Sequence, residues 1–100
     1  MLTKREYEIY KIIHSSDKPM NVSAIVSTSN IGVNTVQATT KKLLKKGLIK
    51  VAGIGYSGTV LCRTYVPGDN AEEILAGMFA ELYDQYKDFV SLDQILNRLE

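Results

Sequence analysis

A chain of 100 residues, 45% of them hydrophobic and none of them tryptophan, is long enough to bury its own core but short for more than one domain with an appended element. Its one cysteine, Cys62, excludes a disulfide framework or a multi-thiolate metal site within the chain, and no apolar run approaches the roughly 18 residues of a membrane span. The net charge of +1 hides an asymmetry: residues 1–68 hold ten Lys and Arg against three Asp and Glu, a net +7, while residues 69–100 hold two against eight, a net −6.

Such a division points to a basic region suited to a polyanion and an acidic region with a different task. The start, Met1 to Glu6, runs directly into an amphipathic pattern without an apolar signal-peptide centre, so the expected compartment is the cytoplasm. Thr3-Lys4-Arg5-Glu6 has the form of a capping box and predicts a first helix from about Lys4 to His14 that buries Ile9, Ile12 and Ile13, with Tyr10 beside them. Ser15 to Pro19 reads as a break. Asn21 then caps a short helix carrying Val22, Ile25 and Val26, which stops near Thr28 and is followed by the turn Ser29-Asn30-Ile31-Gly32.

The next helix is expected from about Val33 to Lys46, with Gly47 as its terminating residue. At about 100° per residue, Val36, Thr40, Leu43 and Leu44 share one face, while Asn34, Ala38, Lys41, Lys42 and Lys45 fall opposite, with Thr35 at their edge. Two helices joined by a Gly-containing turn, the second polar and basic outward, match a helix-turn-helix. Beyond Gly47 the period changes to two. Leu48 to Ala52 and Thr59 to Val66 read as strands, with Gly53 to Gly58 as the hairpin tip between them. Pro67-Gly68-Asp69 closes the unit.

Asp69 or Asn70 is expected to cap a long helix from about Ala71 to Phe89. Leu75, Phe79, Leu82, Tyr86 and Phe89 follow one another at spacings of four and three, an a/d seam widened by Ile74, Met78 and Tyr83. Ser91-Leu92-Asp93-Gln94 is a second capping box, leading a last helix with Leu92, Ile95, Leu96 and Leu99 on one side. The fold expected is mainly α with a small β-hairpin wing: a winged helix-turn-helix over residues 1–68, followed by C-terminal dimerisation helices over residues 69–100.

This order assigns chemistry to particular side chains. An α-helix fits the major groove, where Asn34, Thr35 and Ala38 stand early enough to meet base edges and Lys41, Lys42, Lys45 and Lys46 would meet phosphates. At the wing, Tyr56, Ser57 and Arg63 are placed to touch the backbone or the minor groove. Leu75, Met78, Phe79, Leu82, Tyr83, Tyr86 and Phe89 exceed what one short terminal helix covers, so a second copy is the expected partner of that seam, with Ile95 and Leu99 of the last helix joining the interface.

Gly53-Ile54-Gly55-Tyr56-Ser57-Gly58 spells G-x-G-x-x-G. A dinucleotide site, however, needs a helix after the glycines to hold the pyrophosphate, and a strand follows here. Cys62 reads as a small core residue. His14 reads as a helix-end or solvated side chain, and no set of carboxylates, His and Cys forms a metal or catalytic constellation. No cofactor and no enzymatic activity are expected.

The stretches Leu2 to Ile9, Asn34-Thr35-Val36-Gln37, Leu43-Leu44-Lys45-Lys46-Gly47-Leu48-Ile49, Arg63-Thr64-Tyr65-Val66-Pro67 and Ser91 to Ile95 together resemble the penicillinase-repressor family of winged-helix regulators. That family includes the β-lactamase and methicillin-resistance repressors and the copper-responsive repressors. The resemblance implies a homodimer that represses by occupying a dyad-symmetric operator, with the groove-reading positions at Asn34, Thr35 and Ala38. The sequence departs from it at Thr39 and Thr40, where relatives carry apolar core residues. The C-terminal region is shorter and has no matching cleavage segment, and Cys62 alone replaces a multi-cysteine copper-binding tail. The effector is left open. Two other readings are a winged-helix protein-interaction module that does not bind DNA, and a ligand-responsive regulator of the multidrug-resistance type with a pocket between the long helix and the winged domain.

Overall fold

The computed structural model describes residues 1–99, which form α1 (Lys4–Ser15), α2 (Val22–Ser29), α3 (Val33–Lys46), β1 (Ile49–Ser57), β2 (Val60–Pro67), α4 (Ala71–Tyr86) and α5 (Leu92–Leu99). The predicted caps of α1, α2, α3 and α5 are in place, whereas Asn70 at the start of α4 makes no side-chain cap bond. The Thr3 backbone N–H donates to Glu6 Oε1 at 2.9 Å and the Glu6 N–H to Thr3 Oγ1 at 3.2 Å, a reciprocal pairing that satisfies two orphan donors of α1. Asn21 Oδ1 accepts from the Ala24 N–H at 2.8 Å at the start of α2. Gly47 ends α3 at φ 79°, in the left-handed region where a side chain is strained.

The three helices enclose one core. Ile9 and Ile13 of α1, Ile25 of α2, and Val36 and Leu43 of α3 are buried together with Ile31, Leu48, Ile49 and Tyr65. Thr39 and Thr40 are also buried, which an apolar-only stripe would not accommodate. Each disposes of its hydroxyl locally: Thr39 Oγ1 donates to the Thr35 carbonyl at 2.7 Å and Thr40 Oγ1 to the Gln37 carbonyl at 2.9 Å. No buried donor is left over, so threonine does the work of an apolar residue here.

The hairpin is longer than expected. Gly53 to Ser57 are not its tip but the outer half of β1, paired with β2 through Gly53↔Thr64, Ile54↔Arg63, Gly55↔Cys62, Tyr56↔Leu61 and Ser57↔Val60. Only Gly58, at φ 64°, and Thr59 make the turn, a two-residue connection. The register slips once, between Val51 and Gly53, where Ala52 forms a bulge. Glycine does not end a strand whose partner supplies the side chains: the Thr64 methyl lies 3.2 Å from where a Gly55 Cβ would be. The sheet also gains a residue just after the segment read as a break. Met20 and Tyr65 exchange N–H···O bonds of 3.0 and 2.8 Å, fastening the start of α2 to β2.

α4 begins where chain and body touch most closely. A Cβ on Gly68 would lie 2.2 Å from the Gly47 carbonyl oxygen, and the Gly68 N–H donates to the Leu48 carbonyl at 2.8 Å. Ala71, Ile74, Leu75 and Met78 then pack on the core. Farther along, the helix leaves the body as an arm, giving the molecule extents of 55 × 25 × 23 Å. The helix expected to reach Phe89 ends at Tyr86, whose carbonyl accepts from the N–H groups of Phe89 and Val90 at 2.9 and 3.0 Å. The reason is local. Ser91 and Gln94 form the second capping box, at 3.0 and 3.2 Å, and this starts a new helix at Leu92.

Candidate nucleic-acid interface

α3 presents its outward face as the helical period dictates. Asn34, Thr35, Ala38, Lys41, Lys42 and Lys45 are all exposed, while Val36, Thr39, Thr40 and Leu43 are buried on the other side. Among the described residues, no segment covers the outward face. Its first turn carries the short polar side chains and its last two turns the lysines, the distribution that lets a helix end reach base edges while its stem meets phosphates.

A groove flanks α3 on each side. Toward the wing, Asn34, Gln37, Ala38 and Lys41 face Val22, Arg63 and Tyr65 across a groove of about 520 Å³. Toward α1, Asn34, Thr35, Ala38 and Lys42 face Thr3 and Arg5 across one of about 380 Å³. The fold therefore brings Arg63, 22 residues beyond Lys41 in sequence, alongside the same helix face. Two residues without an assigned role join the site. Gln37, one turn after Asn34, lines the wing-side groove, and Arg5 stands at the mouth of the other with its guanidinium paired to Glu8 at 3.0 Å. The signal for Gln37 was present in its spacing of three from Asn34; Arg5 lies on another helix and has no sequence signature of its own.

Lys46 is differently placed from the other lysines. Its Nζ lies 2.6 Å from Glu6 Oε2, a carboxylate that is 2% exposed. Burial pushes the Glu6 carboxyl up, but Lys46 and the Thr3 N–H and hydroxyl outweigh it, so the group is held below its ordinary value. The predicted phosphate contact is therefore already engaged in joining the end of α3 to the start of α1.

The wing residues separate as well. Tyr56 is 69% exposed and Arg63 is exposed, whereas the Ser57 hydroxyl shares a 2.7 Å hydrogen bond with Ser23 of α2 and is half-buried. Cys62 is half-buried on the same side, where its Sγ accepts from Asn21 Nδ2 at 3.3 Å and donates to the Gly55 carbonyl at 3.6 Å. His14 is exposed, its ring 5.9 Å from that of Tyr10.

Of the residues expected to pair two copies, Leu75 and Met78 are half-buried against their own core. Leu82 and Ile95 are half-buried, and Phe79, Tyr83, Tyr86, Phe89 and Leu99 are exposed, from 37% at Tyr83 to 81% at Phe89. Phe89 lies in the turn between the helices and not on the seam of α4. Among the described residues no group of three or more His, Cys, Asp or Glu is gathered for a metal ion, and no helix is long and apolar enough to cross a membrane.

Comparison with solved structures finds the same architecture in several known proteins. A possible transcriptional regulator from Methanosarcina mazei Go1 superposes with a TM-score of 0.59 at 21% identity, over 88% of this chain and 79% of its own. A MarR/EmrR family transcriptional regulator from Acinetobacter sp. ADP1 gives 0.58 at 22% identity, over 98% and 71%. Bacillus subtilis PadR, solved in complex with operator DNA, gives 0.58 at 14% identity, over 90% and 62%. At these identities the likeness establishes the fold. No curated protein sequence matches the chain. A family model does: the one described as sugar-specific transcriptional regulator TrmB matches residues 2–67, helix-turn-helix and wing together, and is a different family from the one that the Lys-Lys-Gly-Leu-Ile and Tyr-x-Pro stretches resemble. The chain thus belongs to the TrmB family of winged-helix transcriptional regulators.

Proposed function

We propose that the protein binds double-stranded DNA as a homodimeric transcriptional repressor, without catalysing a reaction. α3 enters the major groove, and residues 69–100 join two copies outside a DNA-reading domain of residues 1–68. The observation that carries this reading is the unobstructed outward face of α3, with Asn34, Thr35 and Ala38 ahead of Lys41, Lys42 and Lys45, and Arg63 beside it across one groove. Asn34 and Gln37 have the amide geometry that pairs bidentately with adenine, and Ala38 suits a thymine methyl. Arg5 and the three lysines supply attraction independent of sequence. The dyad-symmetric operator implied by the penicillinase-repressor resemblance is kept as part of the proposal, since two copies joined by their arms present two α3 helices. A regulator of this kind works where the chromosome is, in the cytoplasm.

Selection of bound sequences from random duplex DNA tests the reading. Two inverted half-sites about 10 bp apart, or a multiple of that, are expected. Replacing Lys41, Lys42 and Lys45 with Glu should abolish retention. Failure to enrich any sequence, or binding with no dependence on salt, overturns it in favour of a protein-interaction module.

One observation favours a ligand-responsive variant of the same reading. An apolar groove of about 430 Å³ lies between α1 and α4, lined by Met1, Leu2, Tyr7, Tyr10, Leu75, Met78 and Phe79. The groove runs into the exposed Phe79–Tyr86 seam, so a second copy is the better-matched occupant. A small apolar effector held there would bind equally well to a Leu82→Asp variant.

A further inference from the structure

The twelve residues from Val51 to Cys62 include no Asp, Glu, Lys, Arg or His, an unusual composition for an element held beside a polyanion. Several of their apolar side chains are in water: Ile54 is 73% exposed, Tyr56 69% and Leu61 61%. These three share one face of the ribbon, because residues opposite each other in the pairing Ile54↔Arg63 and Tyr56↔Leu61 point the same way and side chains alternate along a strand. On β2 that face continues through Arg63 to Tyr65, the residues that line the groove opposite Asn34, Gln37 and Lys41. The other face is held to the body through Ser57 on Ser23 and Cys62 on Asn21. The ribbon is thus braced from behind, and its apolar side faces the space beyond α3.

We propose that the wing enters the minor groove next to the α3 contact as an uncharged apolar wedge, with Ile54, Tyr56 and Leu61 packing on sugars and on partly unstacked bases. The inference rests on the DNA-binding reading above. A duplex seated on α3 runs past Arg63 and so past this face, whereas a protein docked on the same face would obstruct the groove. Apolar side chains placed between base steps unstack them and bend the helix, most readily at flexible pyrimidine–purine steps. The wing then selects for deformability, while the salt dependence is left to the lysines and to Arg63.

The test uses the full chain and the duplex recovered by selection, with 2-aminopurine placed in the steps flanking each half-site. Binding is measured over a range of KCl concentrations for the unaltered protein, the double variant Ile54→Ser/Tyr56→Ser, Val60→Ser and Lys41→Ala. Val60 is 66% exposed but pairs with Ser57, on the opposite face of the ribbon, and serves as the control. The double variant should bind about tenfold more weakly at every salt concentration, as expected when two large apolar side chains lose their burial. Its salt slope should be unchanged and its 2-aminopurine fluorescence increase lost. Val60→Ser should bind as the unaltered protein, and Lys41→Ala should reduce the slope by about one. Unfolding temperatures report whether each variant is folded. Unchanged affinity in the double variant overturns the wedge, as does a changed slope or an equal loss in Val60→Ser. So does a change confined to self-association, which would make this face a protein surface. Absence of salt-dependent DNA binding by the unaltered protein overturns the underlying reading instead.

Discussion

Among the described residues, Glu6 is the charged side chain most fully withdrawn from water, at 2% exposure, and its position is sustained by Thr3 on one side and Lys46 on the other. Removing Lys46 leaves a buried acceptor short of a partner, so Lys46→Met should lower stability by about 1–3 kcal/mol at neutral pH in a denaturant titration. The pH dependence follows from the direction of the shift. The carboxyl is held below its ordinary value of 4.5 in the fold and returns to it on unfolding, so its stabilisation is complete above pH 4.5 and is lost as pH falls through the lower folded value. The stability gap between the unaltered protein and Lys46→Met should therefore narrow on acidification below pH 4.5. A gap constant with pH would show that Lys46 acts by packing alone. Lys46 also shows what helical phase alone does not decide. By helical phase it lies at the margin of the basic face, and only the folded position of α1 decides that it turns toward Glu6.

At the scale of elements, what the sequence disclosed is what local chemistry controls. Thr3, Asn21, Gly47 and Ser91 each announce a helix boundary because a cap is made within a few residues of itself. The wing was misjudged because glycine serves both turns and strands, and the choice is made by Cys62 and Thr64 on the partner strand. The glycines differ in consequence. Gly68→Ala would drive a methyl against the Gly47 carbonyl, so a loss of about 1–3 kcal/mol is expected, read as a lower unfolding temperature. Gly77 is exposed within α4, has nothing near its missing Cβ, and sits about 160° around the helix from Leu75 and its seam. Gly77→Ala should raise stability by roughly 0.5–1 kcal/mol through helix propensity while leaving any pairing of the arms untouched. A fall in stability there would place a neighbouring surface against that side of α4.

At the scale of the molecule, the acidic residues are concentrated beyond residue 68, where several large apolar side chains also stand in water. Phe79, Tyr86, Phe89 and Leu99 are each more than half exposed. If the arm pairs with its copy, Leu82→Asp sets a charge on the seam and should convert a dimer to a monomer in sedimentation at micromolar concentration. A monomer before substitution would remove the dimer from the proposal. The heptad spacing was readable from the sequence, but its partner was not, because periodicity records that a face is apolar and not what covers it.

The contact of Gly68 with Gly47 has a mechanical consequence. The end of α3 and the root of the arm meet at this contact, so a turn of one bears on the other. In a joined pair the two arms act as the legs of a caliper whose tips are the two α3 helices, and the opening is set near the hinge. One residue inserted after Gly77 would rotate the far seam by about 100° relative to that contact. The span of DNA the pair can grip should change even though no side chain that touches a base has been altered.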